Sequence, residues 1–309
     1  MENSAKNSKL DTNSYLPFLA SEYAPKLRNE AKFHIIPIPL EQSVSYGAGT
    51  RNGPAAILRA SQQLEAWENE RFPGKLGFYT GEAIDCSAPI ENVLAKISAE
   101  VTTTLNLGKI PVLLGGEHTV TLGALRAFYE RSNYSRPGLV QFDAHADLRA
   151  SYEGSPYSHA CVMYQAVAEM HFQLVQFGIR EYSLGERAQQ IKSKVVAHTA
   201  NALADHGLPT PILPADFPKD IYITFDVDAF DAALMPATGT PAPGGLFWQD
   251  VRRILMLLSK ERHIVGFDVV ELAPITGLHA YDFTAAKLVH FLMSLTCADE
   301  NLGAVSEFA

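Results

Sequence analysis

The sequence predicts an α/β domain built on a mainly parallel sheet covered on both faces. Three observations predict it. Short, near-continuous apolar runs alternate with segments of helical periodicity, the pattern left by strands buried on both sides. Polar, metal-capable side chains follow several of those runs, where functional groups gather beyond the carboxyl ends of parallel strands. No Pro/Ser-rich linker or fixed-period repeat divides the 309 residues, so a single domain accounts for the body of the chain.

The elements follow in order. The first strand is expected at Phe33-His34-Ile35-Ile36-Pro37-Ile38, and a loop with Gly47, Gly49 and Gly53 comes next. A helix then opens with Asn52 as cap and Pro54 in its first turn, and Ile57, Leu64 and Trp67 have near-helical spacing. Residues 90–107 read as a helix stopped by Gly108. Ile110-Pro111-Val112-Leu113-Leu114 reads as a buried strand running into Gly115-Gly116-Glu117-His118, with a helix over 119–129. A strand at 139–142, a helix over 158–170 and a strand at 174–179 repeat the grammar. Gly207, Pro209, Pro211, Pro214 and Pro218 mark residues 200–220 as a long connection. A strand at 221–225, a helix over 248–258, a strand at 264–270 and a helix over 284–295 complete the body. Residues 1–32, rich in Asn, Ser, Lys and Glu, are expected to form a polar arm, free or packed on a neighbouring subunit, before a catalytic domain at 33–309.

Composition narrows the function. Hydrophobic residues make up 47% and charged residues 19%, enough for a full core. A net charge of −9 disfavours a nucleic-acid or anionic-membrane partner and favours a cationic substrate. The odd, widely spaced Cys86, Cys161 and Cys297 form no C-x-x-C pair, which speaks against a disulfide framework or zinc knuckle and for a reducing compartment. With no signal peptide and no long apolar run, a cytoplasmic location is expected.

The chemistry concentrates at four strand ends. Gln141-Phe142-Asp143-Ala144-His145-Ala146-Asp147 follows the apolar Gly138-Leu139-Val140. On an extended chain the alternate Asp143, His145 and Asp147 project the same way. Gathering two carboxylates and an imidazole is costly unless a cation sits between them. His118 follows an earlier strand, Asp226 and Asp228 share a face by the same period of two, and Glu271 follows Phe267-Asp268-Val269-Val270. Two imidazoles and four carboxylates without thiolates suit two borderline-hard divalent ions, Mn²⁺ best, with Ni²⁺, Co²⁺ or Zn²⁺ as alternatives.

Three of these stretches, Gly115-Gly116-Glu117-His118, Phe142-Asp143-Ala144-His145-Ala146-Asp147 and Phe225-Asp226-Val227-Asp228-Ala229-Phe230-Asp231, resemble the signatures of the ureohydrolase (arginase/agmatinase) family. The resemblance extends through Pro236-Ala237-Thr238-Gly239-Thr240-Pro241 and Gly266-Phe267-Asp268-Val269-Val270-Glu271, and covers essentially everything after residue 33. It implies a three-layer α/β/α fold with a binuclear manganese site. His118 and Asp147 would complete one ion's ligand set and His145 and Asp228 the other's, with Asp143 and Asp226 bridging. It further implies Glu271 as the carboxylate that holds a guanidinium and His159 as the proton shuttle to a departing amine. Asp231 would orient ligands from behind. Ala232 stands where the family often has Pro, which implies a slightly altered loop.

The resemblance leans to the agmatinase branch, through Arg149-Ala150-Ser151-Tyr152-Glu153-Gly154-Ser155-Pro156-Tyr157-Ser158 and Val269-Val270-Glu271-Leu272-Ala273-Pro274. The leading expectation is hydrolysis of agmatine to putrescine and urea, a step of polyamine biosynthesis. A guanidino-acid hydrolase (4-guanidinobutyrate) or an arginase is the alternative, and a silent metal-binding homologue or a one-zinc deacetylase ranks below. Glu153 is the candidate partner for a terminal ammonium and Arg149 for a substrate carboxylate; an Arg149–Glu153 surface ion pair is the bland alternative. The family's habit implies a homo-oligomer, a trimer or hexamer.

Overall fold

The computed structural model describes residues 15–131 and 135–297. Eight strands form one sheet: β1 (Phe33–Ile38), β2 (Phe78–Thr80), β3 (Ile110–Gly115), β4 (Gly138–Phe142), β5 (Leu174–Phe177), β6 (Val196–His198), β7 (Asp220–Asp226) and β8 (His263–Val270). Their order is β2-β1-β3-β8-β7-β4-β5-β6, and every pairing is parallel. The strands that lead into the predicted site residues, β3, β8, β7 and β4, are therefore consecutive neighbours at the middle of the sheet.

Helices cover both faces, because each strand sends alternate apolar residues to opposite sides. On one face Val112, Leu114, Phe225, Phe267 and Val269 pack with α1 (Gly53–Ser61), α7 (Trp248–Glu261) and α8 (Ala280–Leu295). On the other, Leu113, Tyr222 and Val270 pack with α2 (Ile90–Asn106), α3 (Val120–Glu130) and the short α4 (Val162–Tyr164). Helix α7 buries Val251, Ile254, Leu255 and Leu258, an i, i+3, i+4, i+7 stripe. Burial contributes roughly 1.5–3 kcal/mol for each such side chain. The second half of α8 is buried nearly all round, and it takes His290 and Ser294 into the core along with its apolar residues.

The glycines before His118 answer to close packing. A Cβ on Gly116 would lie 1.9 Å from the carbonyl oxygen of Leu40, so no larger residue lets the β3 end pass beneath that loop.

Several expectations need correction. Residues 158–170 are not one helix: a 3₁₀ turn at His159–Cys161 passes into α4 and then a π turn at Gln165–Glu169. Helix α1 ends at Ser61, so the spacing of Leu64 and Trp67 is coincidental, and Trp67 is partly exposed. The region after β5 holds α5 (Leu184–Lys192), β6 and α6 (Ala200–His206), whose polar sequences carry little periodic signal. Helix α5 starts at a capping box, Ser183 with Glu186. Of the arm expected over residues 1–32, residues 1–14 lie outside the described residues. The remainder packs on the body, with Phe18, Leu19 and Ala31 buried.

Candidate metal centre and substrate cavity

The predicted ligands converge at the carboxyl end of the sheet. His118 sits in the turn between β3 and α3, while Asp143, His145 and Asp147 lie in the loop after β4 rather than on the strand itself. That loop stays extended at His145, which pairs with Glu181 as a parallel bridge. Asp147 then leaves the alternation with φ +52°. Asp226 ends β7, and its carboxylate accepts the Asp228 N–H at 2.9 Å, which turns Asp228 back toward it. Glu271 follows β8 with φ +65°. Left-handed backbone at a non-glycine residue costs on the order of 1 kcal/mol or more, and two such residues here are held by the surrounding structure to aim their carboxylates.

Two candidate donor sets overlap. His118, Asp143 and Asp226 present donor atoms within 4.8 Å of one another, and so do Asp143, His145 and Asp228. Asp143 belongs to both. Around His118 Nδ1 lie Asp147 Oδ2 at 3.0 Å, Asp143 Oδ2 at 3.1 Å and Asp226 Oδ2 at 3.5 Å. Yet this buried nitrogen makes no directed hydrogen bond. Three oxygens ringing a nitrogen without lining up on it is the arrangement of groups that share a common cation. On the other side His145 Nδ1 lies 2.9 Å from Asp228 and 3.6 Å from Asp143.

Electrostatics agree with that fit. Burial works against a charged His118, but Asp143 and Asp147 outweigh it and hold the imidazole well above its usual range. Burial likewise opposes a charged His145, and Asp228 and Asp143 push it up to about 12. Burial, with the charge of Asp143, lifts Asp147 to about 6, and burial with Asp228, Asp143 and Glu271 raises Asp226 well above a normal carboxylate. Asp143 alone is lowered: burial would raise it, but the two histidines prevail. Burial and the crowding of like charges raise these groups, and a divalent cation placed among them would favour their deprotonated, ligating forms.

A cavity of about 760 Å³ opens onto the cluster. Its wall includes His118, His145, Asp147, Asp226, Asp228 and Glu271, together with Arg149, Tyr152, His159 and Glu181. Glu271 Oε1 accepts the His118 backbone N–H at 2.6 Å, and burial pushes this carboxyl up to about 8. Three hydroxyls surround the His159 ring, Ser43 Oγ at 3.3 Å and Ser158 Oγ at 3.4 Å from Nδ1 and Ser45 Oγ at 3.4 Å from Nε2, with the ring of Tyr152 beside it. Ser43 is itself held by Glu117, which accepts from the N–H groups of Gln42 and Ser43 and from the Ser43 hydroxyl.

Two predicted partners fall elsewhere. Glu153 is exposed, outside the cavity wall, and is not the partner of Arg149. Arg149 instead reaches Glu186 at 3.5 Å and lies over the Tyr152 ring at 5.2 Å. Asp231 touches no ligand side chain: its carboxylate accepts the N–H groups of Ala233, Gly244 and Gly245 and so pins the loop behind the cavity rim. That rim has a second anchor which sequence reasoning missed. Arg180 donates to the carbonyls of Gly178, Asp228, Phe230, Ala242 and Pro243, joining the Asp228 turn to the wall formed by residues 239–243. An arginine just past a buried strand was the available signal. Ser43, Ser45 and Glu117 carried none beyond the Gly-Gly-Glu-His motif.

The arginase family model matches residues 31–297. An N(1)-aminopropylagmatine ureohydrolase of Thermus thermophilus is 37% identical over 86% of this chain and 90% of that protein. An agmatinase of Pyrococcus horikoshii is 31% identical over 86% and 93% of the two chains. The crystal structure of agmatine ureohydrolase of Thermoplasma volcanium superposes with a TM-score of 0.81 at 33% identity, covering 91% of this chain and 94% of that one.

Proposed function

The chain belongs to the arginase family, and from that premise we propose that it is a binuclear-metal ureohydrolase that releases urea from a linear, amine-terminated guanidine, agmatine first. The observation that carries this reading is a pair of donor sets sharing Asp143, beside a buried carboxylate, Glu271, in one cavity. His118, Asp143, Asp147 and Asp226 would hold one ion, and Asp143, His145, Asp226 and Asp228 the other. Manganese suits a set of nitrogen and oxygen donors without thiolate. Bound there, the ions would supply a water activated for attack near neutral pH.

The residues of the chain do the rest. Glu271 receives the planar guanidinium, whose charge offsets the cost of burying this carboxylate. Its hydrogen bond from the His118 N–H fixes the carboxylate relative to the ligands. Water adds to the guanidinium carbon, the bond from that carbon to the alkyl nitrogen breaks, and the departing amine takes up a proton. His159 delivers that proton, oriented by Ser43 and Ser45.

Arg149 bears on the substrate. Among the described residues it is the one arginine or lysine on the cavity wall, and its charge is already answered by Glu186 and Tyr152. A guanidino acid would find no free cation for its carboxylate, so an amine-ended chain is favoured. A second reading, agmatine extended by an aminopropyl group, has its own support. The cavity is roomier than agmatine needs, Glu181 on its wall offers a carboxylate to a further ammonium, and the Thermus relative is named for that substrate.

The reading carries a cytoplasmic location and a trimer or hexamer. No helix among the described residues is long and apolar enough to cross a membrane. Leu184 and Ile191, seven residues apart on α5, are exposed and available to a second copy. The test is urea release from agmatine, aminopropylagmatine, arginine, 4-guanidinobutyrate and guanidinopropionate, with and without Mn²⁺. Urea from none of them overturns the proposal; release from a guanidino acid alone overturns the amine-ended substrate and leaves the hydrolase standing.

A further inference from the structure

Beneath the ligands a row of buried polar side chains crosses the sheet. The β7–β8 register sets Thr224 beside Asp268, and the β4–β7 and β4–β5 registers set Gln141 beside both Thr224 and Gln176. All four are 0% exposed. Burying that much polarity in the middle of an apolar sheet is unfavourable unless every group is satisfied and the row serves something.

The two halves serve different ligands. On one half, Gln176 donates to Gln141 Oε1 at 2.6 Å and Gln141 donates to Asp143 Oδ2 at 2.6 Å. On the other, three hydroxyls converge on Asp268: Thr224 at 2.7 Å, Tyr222 at 2.8 Å and Thr121 at 3.0 Å. A carboxylate accepts all three, whereas a carboxylic acid would have its own proton to place among donors. With its only proton given to Asp268, the Thr224 hydroxyl meets His118 Nε2, 2.8 Å away, as an acceptor. Nε2 must then carry the ring proton, and Nδ1, facing Asp143, Asp147 and Asp226, is the nitrogen left to bind a cation.

We propose that Asp268 is a positioning residue which, through the Thr224 hydroxyl, fixes the orientation and tautomer of His118 so that Nδ1 is presented to the first metal site. The inference rests on the ligand assignment above. Because Asp143 and the second site take their orientation from the glutamine half of the row, loss of Asp268 weakens one ion selectively.

The experiment titrates Mn²⁺ into chelator-treated, metal-free protein by calorimetry, with ion stoichiometry counted separately. Wild type should bind two ions. Asp268→Asn, close to isosteric, should weaken one site by roughly 10–100-fold and leave the other within about twofold. Thr224→Val should match it and Thr224→Ser should restore wild-type affinity. The double variant should be no worse than either single, because Asp268 acts through Thr224. Thermal melts of the metal-free proteins report whether Asp268→Asn still folds. If it does not, the Thr224→Val and Thr224→Ser pair decides. Two wild-type sites in Asp268→Asn, equal loss at both sites, or additive losses in the double variant overturn the positioning role alone. A wild-type protein that binds no Mn²⁺ overturns the ligand assignment and this proposal together. Urea release from the guanidine panel is scored separately and bears on the hydrolase reading only.

Discussion

The backbone N–H of His118 donates to Glu271 Oε1 at 2.6 Å, so the residue proposed to hold the guanidinium is built onto the turn that carries a proposed metal ligand. The link runs both ways, since Glu271 N–H donates to the carbonyl of Gly116 at 2.9 Å. The ends of β3 and β8 are thereby clamped together, and substrate charge and ligand geometry share one rigid unit.

Glu271→Gln tests that unit. The amide oxygen can still accept from His118, so the cluster should keep its ions, but the guanidinium loses its ionic partner. A charge-assisted hydrogen bond contributes roughly 1.5–3 kcal/mol, so kcat/KM for urea release should fall about 10–10²-fold while Mn²⁺ stoichiometry is unchanged. Loss of metal together with activity would instead assign Glu271 to the metal sites.

The overlap at Asp143 predicts an asymmetry in ion counts. Asp143→Ala removes a donor common to both sets and should abolish binding of both ions. His145→Asn touches only the second set and should leave one ion per chain. Asp226→Ala should lose metal and turnover together. Elemental analysis of dialysed variants decides, and a full pair of ions in Asp143→Ala would refute the shared ligand.

That these residues would converge was legible because their signal is local. His118, Asp143, His145, Asp147, Asp226, Asp228 and Glu271 each stand within a few residues of an apolar strand, and short range is where sequence pattern carries information. What failed to show depends on register or on distant loops. Asp268 acquires its role only when β8 lies beside β7 with Thr224 opposite. Ser43 and His159 meet across 116 residues, and Arg180 meets Pro243 across 63. Glu153, expected to meet a terminal ammonium, is exposed and off the cavity wall, and even the alternative of a pair with Arg149 gives way to Glu186, which the capping box of α5 delivers from a distant loop.

Arg180 supplies a stability prediction. Replacing it with Met keeps the length of the stem and removes all five of its hydrogen bonds to carbonyls. Part-buried acceptors left without donors cost roughly 1–3 kcal/mol each, reduced where water enters, so a loss of about 3 kcal/mol in urea unfolding is expected. The loosened 239–243 wall should also raise KM for agmatine several-fold. A variant as stable as wild type would show that water replaces the guanidinium without cost.

A pH dependence of stability arises far from the cavity, at His290. This ring is fully buried on α8, near Phe18 and Phe78 at centroid distances of 6.3 and 6.5 Å, and neither nitrogen has a hydrogen-bond partner. The nearest charges are Glu68, 3.7 Å from Nδ1, and Lys287, which pairs with Glu68. Burial, helped by Lys287, lowers the imidazole to about 3. An unfolded histidine titrates near 6.5, so as pH falls the unfolded chain takes up its proton first. Stability is therefore whole above about pH 6.5 and drains away between there and about pH 3. At pH 4.5 the loss from this one group is roughly 2–3 kcal/mol. His290→Phe removes the titration and suits its aromatic neighbours. The free energy of unfolding measured at pH 7 and pH 4.5 should therefore drop less in this variant than in wild type, by about that amount. Equal drops in the two proteins would mean that the buried ring finds a partner for its proton, and that the neutral form gives no advantage.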